Sequence, residues 1–398
     1  MFAFLKTLRK ATRRAFLPVA MLALAACDPA ALGGLGGGLG NSGPKIDASK
    51  PIPVALLVPR GSAQASDNLL ATNLENAARL AIRDLSGVQI DLRVYGTAGN
   101  AQTAASQAAL AINDGANIII GPLFAEAANA VGVVAAEQGV NVLAFSNNTT
   151  IAGGNVFVLG ATFDNTANRL VSHAASQGRD KIVVVHARDV AGQLGRNAIT
   201  QAIARSGATL AGTVDYPLSQ EGLLAAVPNV KAAVDSAGAN GVFLTASPAA
   251  GLPLLAQLLP EAGVSPSTTQ YLGLTRWDIP AQTLQLPGLQ GGLFTLPDPG
   301  ASSAFRSKYE AAYGSAPHPI AGLAFDGIAA VGALVSGGKA NALSHGSLTQ
   351  GSGFQGATGI FRLRADGTNE RGLAVATVRN NQVNIISPAP RGFGGAGS

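Results

Sequence analysis

The residues able to do chemistry are few and scattered. His173, His186, His318 and His345 lie far apart, with no metal-ligand spacing. No GxSxG elbow occurs. Asp84, Asp164 and Asp189 form no paired-carboxylate pattern, and the chain has one cysteine, Cys27. This inventory argues against catalysis and implies no cofactor. One polar cluster stands out, Ser146-Asn147-Asn148-Thr149-Thr150, directly after the apolar run Val140–Phe145. Hydroxyls and amides in that position suit reversible binding of a small molecule.

Around this cluster Asn117–Ile120 reads as a buried parallel strand closed by Gly121-Pro122. Phe124–Gln138 is helical in composition, with Gly139 as a C-cap. Val140–Phe145 is the next strand. In open α/β sheets ligands sit outside the carboxyl ends of the strands. The loops 121–125 and 146–150 therefore rim a candidate cleft.

The alternation extends both ways. Strands are predicted at 54–58, 90–95, 156–159, 181–186, 210–216, 241–245, 270–274 and 291–296, with helices between most of them. Helices follow at 301–313 and 321–337, and antiparallel strands at 357–364, 374–379 and 382–386. The turns of this last part fall at Asp366-Gly367 and Asn380-Asn381. The alternation starts afresh near Asp164. That favours an α/β fold of two doubly wound parallel-sheet lobes over one very wide sheet.

The N-terminus reads differently. Lys6, Arg9, Lys10, Arg13 and Arg14 precede the apolar stretch Phe16–Ala25, an export-signal pattern too short for the ~20 residues of a membrane span. Leu24-Ala25-Ala26-Cys27 resembles a bacterial lipobox, which implies lipidation at Cys27 and a membrane anchor. Thr12–Leu17 resembles a twin-arginine motif, although a plain basic n-region serves as well. Asp28 resembles the inner-membrane retention signal of enteric lipoproteins. Residues 28–50 read as a Gly-rich linker. Its GxGxxG match, Gly38–Gly43, precedes the first strand and is no dinucleotide site. The net charge of +5 comes from 27 Lys and Arg against 22 Asp and Glu; five of the basic residues lie in the signal, which leaves 22 against 22. Nothing there points to nucleic acid.

Four segments carry a family resemblance: Pro53–Pro59, Ile119-Ile120-Gly121-Pro122-Leu123, Gly292–Pro297 with the helix Phe305–Tyr313, and Phe354–Gly359 followed by Asp366-Gly367. In this order they resemble the type I periplasmic binding proteins of the leucine/isoleucine/valine group. The resemblance implies three crossover segments, near 161–165, 275–280 and 338–350. Residues 51–162 plus 278–338 would form the first lobe, 163–277 plus 339–388 the second, and 389–398 a disordered tail. It also implies a ligand cleft with Phe124, Ala125, Ser146, Asn147, Asn148 and Thr149 on one side. Arg188, Asp189, Ser247, Trp277 and Asp278 would face them. Trp277 fits a core position equally well. The family commonly has a serine where this chain has Ala125, and the second-lobe stretch Thr245-Ala246-Ser247 lacks a tyrosine. Free leucine-like amino acids are therefore expected to bind weakly.

Within that fold, lipoproteins that activate penicillin-binding proteins are similar in the lipobox, the Gly-rich tether, Arg276-Trp277-Asp278 and the 354–367 ending. The primary expectation is thus a lipid-anchored regulator of a peptidoglycan synthase. The alternative is the solute receptor of an ABC importer, with a permease as partner. One fold hosts both functions.

Overall fold

Short apolar runs closed by glycine or a polar turn become the central strands. The computed structural model describes residues 43–393. Cys27, the expected signal and residues 28–42 of the expected linker lie outside the described residues.

The first lobe opens with β1 (Ile52–Val58), α1 (Ala65–Asp84), β2 (Ile90–Gly96), α2 (Ala101–Asn113) and β3 (Ile118–Ile120). It continues with α3 (Ala125–Ala136), β4 (Asn141–Ala144) and β5 (Val156–Val158). All five strands are parallel, in the order β2-β1-β3-β4-β5. β1 is covered on both faces. Val54, Leu56 and Val58 pack with Leu70 and Leu74 of α1, while Ala55 and Leu57 pack with alanines of α2 and α3. The strict two-residue alternation of a strand assigns them, and burial on both faces is why the run is continuously apolar.

The second lobe begins at α4 (Phe163–Ser176), which a reciprocal Thr162–Asn165 capping box starts. Next come β6 (Lys181–Ala187), α5 (Val190–Ser206), β7 (Thr209–Tyr216), α6 (Gln220–Ala237) and β8 (Gly241–Leu244). α7 (Leu252–Glu261), β9 (Gln270–Gly273) and β10 (Leu293–Pro297) follow. The chain then forms α8 (Pro299–Tyr313), α9 (Gly322–Val335), the one-turn α10 (His345–Leu348), β11 (Phe354–Gly356), β12 (Gly359–Leu363) and β13 (Asn369–Arg371). It ends with β14 (Leu373–Arg379) and β15 (Gln382–Ser387). The second sheet has seven strands in the order β15-β14-β10-β9-β8-β6-β7. β14 and β15 are antiparallel and joined by an Asn380-Asn381 turn in which both residues have positive φ.

The boundaries between lobes differ from expectation. β10, placed in the first lobe from sequence, pairs with β9 and β14 of the second sheet. Leu284 and Leu289, just before it, join the second lobe's core. Conversely Ala342, Leu343, Phe354, Phe361 and Leu363, placed in the second lobe, pack with the first. The crossovers consequently run through Leu159–Thr162, Asp298 and Gly372, not near 275–280 and 338–350. Long-range strand pairing and burial decide this, and neither has a local signal. The two ends also dock further than expected. Ile46 is buried in the first core and its N–H donates to Ala340 O at 2.9 Å. Ala389 is buried, and Arg362 stacks over the Phe393 ring.

The crossovers are stitched together by side chains of β13. Asn369 Nδ2 donates to Val158 O and Gly160 O, both at 2.8 Å. Arg371 Nε donates to Leu159 O at 2.9 Å, and its Nη1 to Thr358 Oγ1 at 3.3 Å. Asp298 N–H donates in turn to Thr358 O at 2.9 Å. Beneath them Arg371 pairs with the wholly buried Asp326 of α9 at 2.9 Å.

Candidate functional site

The carboxyl ends of β3 and β4 lie side by side. Gly121 closes β3 at φ +90°, where a Cβ would stand 2.2 Å from Leu57 O, so only glycine fits. After β4 the chain turns tightly. Ser146 Oγ accepts the Asn148 N–H at 3.1 Å, and Asn148 Oδ1 accepts both the Thr150 N–H at 3.0 Å and the Thr150 hydroxyl at 2.8 Å. Gly160 N–H donates to Ser146 O at 3.0 Å, and a Cβ on Gly160 would come within 2.9 Å of Asn147 Cβ. The polar loop is thus pressed against the first crossover, at the junction of the lobes.

There it meets the second lobe. Asn147, Asn148 and Thr149 share a cavity of about 460 Å³ with Phe163 and Asp164 at the start of α4 and with Val190, Ala191, Leu194, Asn197 and Gln201 of α5. That volume lies in the range of small-molecule sites. Among the described residues Asp164 is the one charged side chain lining it. The remaining polar groups are the amides of Asn147, Asn148, Asn197 and Gln201 and the Thr149 hydroxyl, and Phe163, Val190 and Leu194 supply the apolar part of the second lobe's wall. Asn148 Oδ1 is engaged within the loop, which leaves its amide N–H groups as donors. Nearby, the first-turn N–H groups of α3 have no side-chain cap at Phe124, so the positive end of that helix is open on the same rim.

The sequence-predicted residues separate into those gathered at this cavity and those held elsewhere. Asn147, Asn148 and Thr149 line it. Ser146 is buried beneath, with its hydroxyl engaged. Ala125 begins α3, and Phe124 is half-exposed with its ring beside Gly99, farther along the rim. Asp189 caps α5, accepting the Gly192 N–H at 2.7 Å. Arg188 turns away to pair with Asp215 of β7 at 2.9 Å. Ser247 makes a turn in which its carbonyl accepts the Ala250 and Leu252 N–H groups.

Trp277 and Asp278 are corrections. Trp277 is fully buried in the second core, beside Phe294, with its ring centroid 5.8 Å away. Its indole lies over Gly273 and Gly292, where any Cβ would approach it to within 2.5 Å. It is a core residue because two glycines clear a flat slot for it. Asp278 is bound by Arg276, whose Nε donates to its Oδ1 at 2.9 Å, and so is no free acid for a ligand's ammonium.

Sequence reasoning missed the contribution of α5. Val190, Leu194, Asn197 and Gln201 recur at intervals of four, three and four, one stripe of a helix. Val190 is 75% exposed, although the opposite face already supplies the core through Ala198, Ile199, Ala202 and Ile203. An exposed Val and Leu in line with two amides, on the face away from the core, are the available signal.

Residues 51–382 match the periplasmic binding protein family, and the chain belongs to it. No curated protein matches the chain. Among solved structures it is similar to a Rhodospirillum rubrum protein assigned as a branched-chain amino acid ABC transporter (17% identity, TM-score 0.71, 85% of this chain and 100% of that one). It is also similar to an ABC transporter substrate-binding protein of Desulfitobacterium hafniense in complex with leucine (17%, 0.60, 85% and 100%). A third is an ABC transporter solute-binding protein of R. palustris in complex with benzoate (17%, 0.54, 87% and 98%). At these identities the likeness is one of fold, the type I periplasmic binding protein fold.

Proposed function

We propose that the protein is a non-enzymatic solute-binding receptor of an ABC-type importer, working in the periplasm and anchored through lipid on Cys27. The observation that carries this reading is the cavity between the loop 147–149 and α5, which joins amide and hydroxyl groups of one lobe to a helix face of Val190, Leu194, Asn197 and Gln201 in the other. Family membership supports it, as do solved relatives that are solute-binding proteins of transporters. The expectation of a peptidoglycan-synthase regulator gains no support from the family or these relatives, and the receptor reading replaces it.

Leucine and benzoate occupy relatives of the same fold, so the solute follows from the lining. Here Asp164 is the single charge and no cation is present. A carboxylate would find amide and hydroxyl donors there but no cation to pair with, and would sit beside Asp164. The lining suits a small solute with an apolar body and an uncharged or ammonium-bearing polar end. Benzoate-like anions, and leucine deprived of a hydroxyl at Ala125, bind weakly on this reading.

Calorimetry on the purified protein with neutral amides, amines, leucine and benzoate tests it. Saturable heat for an amide or amine, weakened about tenfold in Asn148→Ala, is the expected result. Sub-micromolar benzoate binding would overturn the charge argument, and binding unaltered in Asn148→Ala would move the site elsewhere. Anchoring is tested separately: Cys27→Ser should release the protein from the membrane fraction.

A further inference from the structure

A second recess opens on the other flank of α5, under the edge of the second sheet. Its volume is about 320 Å³, and its lining is His186 of β6, Arg188 just after β6, Gln193 and Arg196 of α5, and Thr213 and Asp215 of β7. The strand register aligns His186 with Asp215 and Val184 with Thr213, so these side chains stand on one face of the sheet, toward α5. None of the six lines the cavity at 147–149.

The charges in this recess do not balance. Asp215 is engaged by both arms of Arg188, with Nε at 2.9 Å and Nη2 at 3.3 Å. His186 directs Nδ1 at Ala187 O, 2.8 Å away. Gln193 donates to Arg188 O at 2.9 Å. Arg196 is left over. Among the described residues it enters no ion pair, and its Nε is buried with no hydrogen-bond partner. A guanidinium is always charged, and a buried N–H without an acceptor is a rare, costly state. The recess thus holds a permanent positive charge and an unanswered donor, and a Thr hydroxyl belongs to the same lining.

We propose that this recess is a binding site for a small tetrahedral oxyanion of the phosphate class, held by Arg196, with Arg188 and Thr213 as further donors. A guanidinium fork matches two oxygens of such an anion. Arg188, whose Nη1 takes no part in its bond to Asp215, and the Thr213 hydroxyl line the same recess, so there are donors for more oxygens than a carboxylate's two. The shared chemistry could come from free phosphate or from a phospholipid headgroup, and the experiment separates them.

The purified full chain is titrated with inorganic phosphate by ³¹P line broadening, and with phosphatidic acid vesicles against phosphatidylcholine vesicles by sedimentation. The expected result is saturable phosphate binding that weakens by about tenfold or more in Arg196→Gln and to a smaller degree in Thr213→Val. Thr213 is exposed, so its variant guards against a folding artefact, and the thermal midpoint is read for both. Binding only to phosphatidic acid vesicles, lost in Arg196→Gln, assigns the site to a headgroup phosphate. No binding in either arm, or binding that Arg196→Gln leaves unchanged, overturns the proposal. Solute binding at the cavity is a separate measurement and decides nothing here.

Discussion

Two Arg–Asp pairs sit at opposite extremes of this molecule. Arg371 and Asp326 lie in the hinge, 6% and 0% exposed in their side chains; Arg188 and Asp215 lie at the sheet edge, 58% and 47% exposed. The pairs are alike in chemistry and unlike in consequence. Burial pushes the Asp326 carboxyl above its ordinary range, against the pull of Arg371 and the Ala357 N–H. At the edge, the hydrogen bonds from Arg188 hold Asp215 below that range. Removing two charges from water costs so much that a buried pair persists only where further hydrogen bonds answer it. The hinge supplies them: Leu159 O, Thr358 Oγ1 and the Ala357 N–H all converge there. Arg371 Nη1 itself meets Asp326 Oδ2 at contact distance without a hydrogen bond's alignment. The buried pair joins three crossovers, whereas the exposed pair is free to rearrange around a ligand.

The largest effect should come from breaking the hinge pair. Arg371→Met leaves a buried carboxylate alone and should cost about 3–5 kcal/mol in denaturant unfolding. Asp326→Asn should cost less, because burial already favours the neutral form. The sign follows from the raised folded pKa. The protonated acid's advantage is fully present below the unfolded value and is lost as pH rises through the folded one. The cost of Asp326→Asn relative to wild type should therefore be largest in acid and shrink as pH rises through the folded pKa. Equal costs for the two substitutions would mean that the pair acts through shape alone.

Next comes the backbone beside it. Gly367 has φ +78°, and a Cβ there would meet Gly153 N at 2.3 Å and Val156 O at 2.4 Å. Gly367→Ala adds left-handed strain of about 1–2 kcal/mol to a contact with rigid backbone. We expect a lowered thermal midpoint with the ligand cavity's chemistry untouched. An unchanged midpoint would show that the 366–367 turn moves freely against the first lobe.

How much of this was legible in the sequence differs between the same regions. β1 to β5 and the loop 146–149 were readable, because each strand is a short apolar run ended by a turn and each connection is local. The crossovers were not. β10 looks alike whichever sheet it joins, and only its pairing with β9 and the distant β14 assigns it. Arg371 and Asp326 are unremarkable in sequence, and nothing local shows that they meet. Trp277 required knowing that Gly273 and Gly292 face each other across it. Arg188 was placed near the cleft by its position after β6, but side-chain direction, which strand position alone does not set, sends it to Asp215.

A cleft substitution should fall between the hinge and the edge. Asn148→Ala removes the acceptor of the Thr150 N–H and should cost about 1 kcal/mol, the scale of a lost cap, while affecting solute affinity more than stability. A loss of several kcal/mol instead would mark Asn148 as part of the hinge.

The smallest effect belongs to the exposed pair. Arg188→Gln should let Asp215 return toward the ordinary carboxylate range, followed by its side-chain carbon shift in an NMR titration. The stability change should be slight, since exposed pairs are screened by solvent and salt. The sign is opposite to that at the hinge. A depressed folded pKa contributes stability above the unfolded carboxylate value, near 4, and that contribution is lost as pH falls through the folded one. Wild type and Arg188→Gln should therefore coincide in strong acid, separate as pH rises through the folded pKa, and show the full gap above about pH 4, with wild type the more stable. A gap that persists at the acid end would show that Arg188 stabilises the sheet edge by packing its stem over β7, and the contrast between the two pairs would then be one of packing as much as of charge.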